Sequence, residues 1–161
     1  MITSSELRQV LSYDKDTGNF KWIVPRRGRS AVNPFAGRLG TRGYHQICIN
    51  YRHYATHRLA WLYVYGEWPP NDIDHINRDK ADNRIENLRL ATDAQNTWNR
   101  GRFSNNKCGH KGVYQVSKNC WRAQIKVGGV QEVLGHFADP AQAGQAYLDA
   151  ARARYGEFAC A

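Results

Sequence analysis

The run "DHINRDKADNRIENLRLATDAQN", residues 74–96, places one histidine, four asparagines and five acidic residues in twenty-three positions. A stretch so polar supplies little core, so the fold around it has to hold it at a surface or about a site. Apolar alternation returns only at its flanks. Ile73 to Ile76 reads as a strand, Glu86 to Thr92 as a second with Leu88 and Leu90 facing inward, and the polar residues between them as the connecting loop. Thr92 and Gln95 stand at N-cap and N3 spacing, which starts a helix at Asp93 and puts Asn96 in its first turns. The pattern is strand, loop, strand, helix, with Asn96 able to face Asp74 and His75 across the hairpin.

Around this run lie 161 residues, enough for one domain or two small ones. The net charge is +9. It is shared: residues 1–100 hold 15 Lys+Arg against 10 Asp+Glu, and residues 101–161 hold 8 against 4, giving +5 and +4. A basic surface on both halves suits a polyanion such as nucleic acid. No apolar run approaches the roughly 20 residues of a membrane span, so no membrane partner is expected. The four cysteines contain no C-x-x-C pair, and free thiols in a reducing cytoplasm are the default reading.

Before the run, Ser4 or Ser5 can cap a short helix, and a Gly-Asn turn feeds a strand through Phe20 and Trp22. "VPRRGRSAVNPFAGRLGTRG" loses periodicity. Its Arg26, Arg27 and Arg29 mark a basic loop that is either solvated or a phosphate clamp. "YHQICINYRHYATH" alternates as two strands around Asn50 and Tyr51, and a mostly apolar helix from His57 ends at Gly66. His53 and His57 read as structural histidines of these elements. After Arg100, "GRFSNNKCGHKG" has linker composition, followed by strands over 112–116, 121–127 and 132–137 and a helix opened by Asp139-Pro140.

Neighbours on a strand point to opposite faces, so Asp74 and His75 serve one site only if the strand ends or kinks there. Given that, a carboxylate and an amide oxygen, from Asp74 and Asn96, suit a hard divalent cation such as Mg2+ or Mn2+. A histidine beside it is largely neutral at cellular pH and can take a proton from water, which makes His75 the candidate general base. Asn87, on the second strand, can fix the loop and orient His75. Asp82 and Asn83 are assigned to loop capping.

The same run strongly resembles the HNH endonuclease motif in the form found in phage-borne and homing-type nucleases. The resemblance extends through "YDKDTGNFKW" and "HRLAWLYVYGEWP", covering about residues 10–100. It implies a ββα-metal fold, with His75 as base and Asn87 as the middle letter, both catalytic, and Asp74 and Asn96 as ligands of one divalent ion. The third letter of the name is asparagine here, at Asn96, which leaves metal choice open. The implied products carry a 5′ phosphate and a 3′ hydroxyl.

In "WRAQIKV", Trp121, Ala123, Ile125 and Val127 alternate with Arg122, Gln124 and Lys126, so one face packs and the other presents donors. Such side chains read base edges or hold phosphates. "KGVYQVSKNCWRAQIKV" and "LGHFADPAQAGQAYLDAA" resemble the Apetala-type DNA-binding domain of plant ethylene-response factors, over about residues 108–155. By position, Lys111, Tyr114, Gln124 and Lys126 fall where that family touches DNA.

The expected fold class is therefore α+β: a ββα-metal HNH domain over 1–103, then a small three-stranded antiparallel sheet packed on one helix over 104–161. The expected activity is metal-dependent hydrolysis of double-stranded DNA by a monomer or DNA-bound homodimer. Arg26, Arg27, Arg29, Arg89, Lys111, Tyr114, Arg122, Gln124 and Lys126 are the expected DNA contacts. A cytoplasmic protein of a bacterial host fits, phage encoding included. The alternative is a non-catalytic, sequence-specific DNA-binding protein with a degenerate site.

Overall fold

In the computed structural model, residues 1–23, 35–41, 43–102, 106 and 108–160 are described. Arg26, Arg27 and Arg29 lie outside them. Helix α1 (Ser4–Val10) opens the chain, capped by Thr3 rather than by either serine: Thr3 Oγ1 accepts from Glu6 N and the Glu6 carboxylate accepts from Thr3 N. The Thr-x-x-Glu spacing satisfies two otherwise orphaned amides at once, which a lone serine cap cannot do. Strands β1 (Leu11–Tyr13) and β2 (Phe20–Trp22) then pair antiparallel.

A second sheet is made by β3 (Arg38–Leu39), β4 (His45–Ile49) and β5 (Arg52–Ala55). The β4–β5 turn has Asn50 and Tyr51 both at positive φ, 48° and 62°. That is the twist which a two-residue hairpin requires, and Tyr51 projects into solvent. Helix α2 (Thr56–Tyr65) follows directly and stops at Gly66, whose left-handed backbone returns its N–H to Leu62 O at 3.0 Å. The helix buries Leu59, Ala60 and Leu62 and exposes Val64 and Tyr65, so it is one-sided rather than buried all round.

The polar run forms β6 (Asp72–His75), a loop ending in a 3-10 turn (Ile85–Asn87), and β7 (Leu88–Ala91), antiparallel with Asp74 opposite Arg89 and His75 opposite Leu88. Leu88 and Ile73 join Leu7, Leu11, Phe20, Ile47, Ile49, Leu59 and Leu62 in one core. Helix α3 (Asp93–Asn99) completes the expected succession of elements.

The chain divides into two compact units, Met1–Thr92 and Asp93–Ala161. The division falls before α3, not at the 103/104 boundary that linker composition suggests. The reason is packing: Trp98 of α3 stacks on Tyr155 with centroids 4.5 Å apart and planes 9° from parallel, and Lys111 Nζ donates to the carbonyls of Trp98 and Arg100. The rest of the second unit is an antiparallel sheet in the order β10–β9–β8, from β8 (Val113–Ser117), β9 (Cys120–Val127) and β10 (Val130–Phe137), covered by α4 (Pro140–Tyr155). Val113, Ala123 and Ala143 form its core. Asp139 caps α4 by accepting from Ala141 N, as the Asp-Pro pair predicts. The whole is mixed α and β. Among the described residues, no helix is long and apolar enough to cross a membrane.

Candidate active site

The loop between β6 and β7 is organised by its own amides and carboxylates. Asn87 is buried; its Oδ1 accepts from Asn77 N at 2.9 Å, and its Nδ2 donates to Asn77 Oδ1 and Asp82 O at 3.0 and 2.8 Å. Asn77 Oδ1 also accepts from Asp79 N, and Asp79 Oδ1 from Ala81 N. Asp82 takes Arg84 Nε and Nη2 at 2.9 and 2.8 Å and Asn77 Nδ2 at 2.7 Å. The Arg84 guanidinium holds the Asp82 carboxyl down at about 2. The abundance of asparagine and aspartate is thus first a means of closing a tight loop whose backbone groups have no ladder partner.

The loop is also clamped from outside. Tyr13 Oη donates to Asn83 O at 2.7 Å. Gly18, at φ +71°, lies so close that a Cβ there would meet Arg84 N at 2.4 Å and the Asn83 carbonyl carbon at 2.5 Å. Only glycine allows the β1–β2 turn to lie against this segment.

β6 ends at His75, whose carbonyl accepts from Arg78 N at 2.9 Å as the chain turns away, Arg78 itself standing at φ 67°. Asp74 and His75 are the last two residues of the strand, in register with Arg89 and Leu88. His75 is buried, its Nε2 3.4 Å from Asn83 Oδ1. The ring of His57 meets it edge-to-face at 5.2 Å and that of Tyr44 at 5.9 Å, with Lys80 Nζ 4.7 Å above Tyr44. Burial lowers the pKa of His75 below its ordinary value, so its imidazole is neutral and able to accept a proton at cellular pH. Burial pushes His57 further, down to about 3.

Asn83, which sequence reading assigns to loop capping, is thus both a loop residue and the amide against the imidazole; Asn87 ties the loop. His57, Tyr44 and Asn83 are the site residues that sequence reading misses. The contact of Asn83 has a signal in its distance from His75 along a tight loop. Those of Tyr44 and His57 have none, since they depend on how the β4–β5 sheet and α2 pack on β6.

Asp74 is buried and paired with Arg89 across the ladder, Arg89 Nε and Nη2 lying 2.9 and 2.8 Å from Asp74 Oδ2. Arg89, expected to contact DNA, is only 12% exposed at its side chain and engaged with this carboxylate. A carboxylate with a separate amide suits Mg2+ or Mn2+ in kind, since such ions keep several waters and take phosphate oxygens. Asn96, half-buried, lies on α3 in the second unit. Among the described residues, no group of three or more His, Cys, Asp or Glu is gathered as an all-protein metal cage.

In the second unit, Ala123 and Ile125 are buried while Trp121 is half-buried and Val127, at the strand end, is exposed. Arg122 stands between Tyr114 and His136 across the three strands, Gln124 opposite Val133 and Lys126 opposite Gln131. Tyr114 and Lys126 are exposed; Arg122 Nε and Gln124 Oε1 are buried without a hydrogen-bond partner among the described residues. Lys111 is tied to the carbonyls of α3 and its following residue rather than projecting from the sheet.

A family model described as "HNH endonuclease" matches residues 54–97, from β5 into α3. "Uncharacterized HNH endonuclease L560" of Acanthamoeba polyphaga mimivirus is 32% identical over 130 residues, covering 80% of this chain and 67% of that protein. "Protein 3.8" of Escherichia phage T7 is 31% identical over 77 residues, covering 47% of this chain and 64% of that protein. A solved structure titled "DNA binding and cleavage by the HNH homing endonuclease I-HmuI" aligns over 84% of this chain and 76% of that one, at 18% identity and a TM-score of 0.44. The extent and identity of the mimivirus match, together with the family model lying over β6, β7 and their flanking helices, make this chain a member of the HNH endonuclease family.

Proposed function

We propose that this protein is a metal-dependent endonuclease that hydrolyses phosphodiester bonds of double-stranded DNA, with His75 as general base. The observation that carries the reading is His75 itself: a buried imidazole at a strand end, next in sequence to a buried carboxylate and backed by a tightly tied loop. Lowered basicity keeps its lone pair available for a water proton. The water attacks phosphorus in line with the departing sugar oxygen, leaving a 5′ phosphate and a 3′ hydroxyl. Asn83 contacts the imidazole at 3.4 Å, and Asn87 ties the loop that carries Asn83. Asp74 and Asn96 are the residues that would hold one Mg2+ or Mn2+ per site, and the ion would offset negative charge developing in the reaction. Arg89 holds the Asp74 carboxylate in place.

The second unit acts as a DNA reader of the Apetala type, through the sheet face that carries Tyr114, Arg122, Gln124 and Lys126. Arg26, Arg27 and Arg29 add phosphate contacts. A monomer nicks and a DNA-bound dimer cuts both strands, in the cytoplasm of a bacterial host.

A second reading, a non-catalytic DNA-binding protein, draws on one observation: Asp74 already has a cation, Arg89, as its partner. Plasmid conversion separates the two. Nicked or linear DNA formed with Mg2+ or Mn2+ and abolished by chelator supports the nuclease. Binding to the same plasmid that is indifferent to chelator, with no cutting under either metal, supports the alternative.

A further inference from the structure

His75 is flanked by a ring that none of the roles above uses. His57, second residue of α2, meets His75 edge-to-face with planes at 82° and centroids 5.2 Å apart. Tyr44 closes a triangle, 5.3 Å from His57 and 5.9 Å from His75. The Nδ1 atom of His57 is buried, and among the described residues no group hydrogen-bonds it. A phenylalanine in the same space would not carry that unfavourable atom, so packing alone does not explain a histidine here.

The need it can meet is orientation. The χ2 torsion of histidine is broad, and the contact of Nε2 with Asn83 Oδ1 is long, 3.4 Å, so a ring packed against the imidazole adds to how firmly its plane is held. A general base whose ring swings loses alignment of its lone pair with the water. Aromatic rings prefer an edge against a face, and the polar edge of an imidazole strengthens that preference over a plain hydrocarbon edge. Burial keeps His57 neutral, so it orients His75 without setting a positive charge beside it.

We propose that His57 is a positioning residue for His75, its ring fixing the plane of the general base by edge-to-face contact, with Tyr44 bracing both rings. The inference rests on His75 being the base.

The test uses the full-length protein, with DNA binding and single-turnover cutting measured separately. His57→Leu keeps apolar volume and removes the ring. It should cut roughly 100-fold more slowly at saturating DNA, the scale of a misaligned catalytic group, while Kd stays within about twofold. His57→Phe restores an edge and should recover at least about tenfold over His57→Leu. The His75 ring nitrogens, followed by 15N NMR, should show one tautomer in the wild type and in His57→Phe, and an averaged pair in His57→Leu. Cutting by His57→Leu within about threefold of wild type overturns the proposal, as does a Kd that weakens as much as cutting does, or His57→Phe being no faster than His57→Leu. His75→Ala runs alongside: full cutting by that variant defeats the assignment of the base, whereas its loss with His57→Leu unimpaired defeats only the role of His57.

Discussion

Removal of the Arg89 guanidinium should destabilise the first unit more than any surface change of similar size. Arg89 and Asp74 are cross-strand partners in the β6–β7 ladder, with side chains 12% and 10% exposed. Arg89→Met keeps the aliphatic stem and deletes the charge, leaving a carboxylate nearly out of water beside His75. Breaking a buried pair from one side costs about 3–5 kcal/mol. The residual exposure of both side chains and the further contacts of Asp74 argue for the lower end, about 3 kcal/mol. For a unit of this size that is a fall of roughly 15 °C in Tm. Adding Asp74→Asn removes the orphaned charge and should restore about 2 kcal/mol of the loss. Urea unfolding of the full chain, with amide exchange in α2 reporting on the first unit, reads both variants. A loss below about 1 kcal/mol for the single variant, or a double variant no more stable than the single, would refute the reasoning.

Acid sensitivity should follow His57. Its folded pKa of about 3 lies below its ordinary 6.5, so the unfolded chain binds the proton first. Stability is then complete above pH 6.5 and lost as pH falls toward 3, by at most about 1.4 kcal/mol per pH unit. His75 adds loss of the same sign, while Asp82, held at about 2 by Arg84, contributes stability that disappears only at lower pH. His57→Phe should flatten the urea midpoint between pH 6 and 4; an unchanged slope would speak against a buried neutral His57. Gly18→Ala, whose Cβ would collide with the backbone of Asn83 and Arg84, should cost well over 1 kcal/mol and slow cutting by displacing the loop behind His75. A variant with wild-type Tm would mean that the turn and the loop are not in contact. On the sheet, Lys126→Ala should weaken DNA binding across sequences and reduce the slope of log K against log salt by about 1. An unchanged slope would remove Lys126 from the interface.

What could be read from sequence was what is local. The β4–β5 hairpin is announced by a polar pair between alternating strands, the end of α2 by Gly66, and the start of α4 by Asp139-Pro140, because turn and cap chemistry is settled within a few residues. The polar run between β6 and β7 was visible for the same reason, its asparagines and aspartates being loop ties at fixed short separations. Register and packing were not visible. Arg89 reads as a free cation until the ladder sets it opposite Asp74, and Lys111 as a strand-proximal DNA contact until α3 offers it two carbonyls. Linker composition around 101–112 hides that α3 belongs with the second unit, since the Trp98–Tyr155 stack joins residues 57 positions apart. His57 illustrates the limit best: a histidine at the start of an apolar helix reads as structural, and only the approach of α2 to the end of β6 brings its ring to His75.

The central claim is that His75 removes the proton from the attacking water, and single-turnover cutting of saturating DNA by His75→Ala tests it most directly. The expected result is a loss of about 10²–10⁴-fold in rate, the usual contribution of a positioned general base, with DNA affinity and Tm close to wild type. A folded His75→Ala protein that binds the same DNA and cuts it at the wild-type rate would contradict the account.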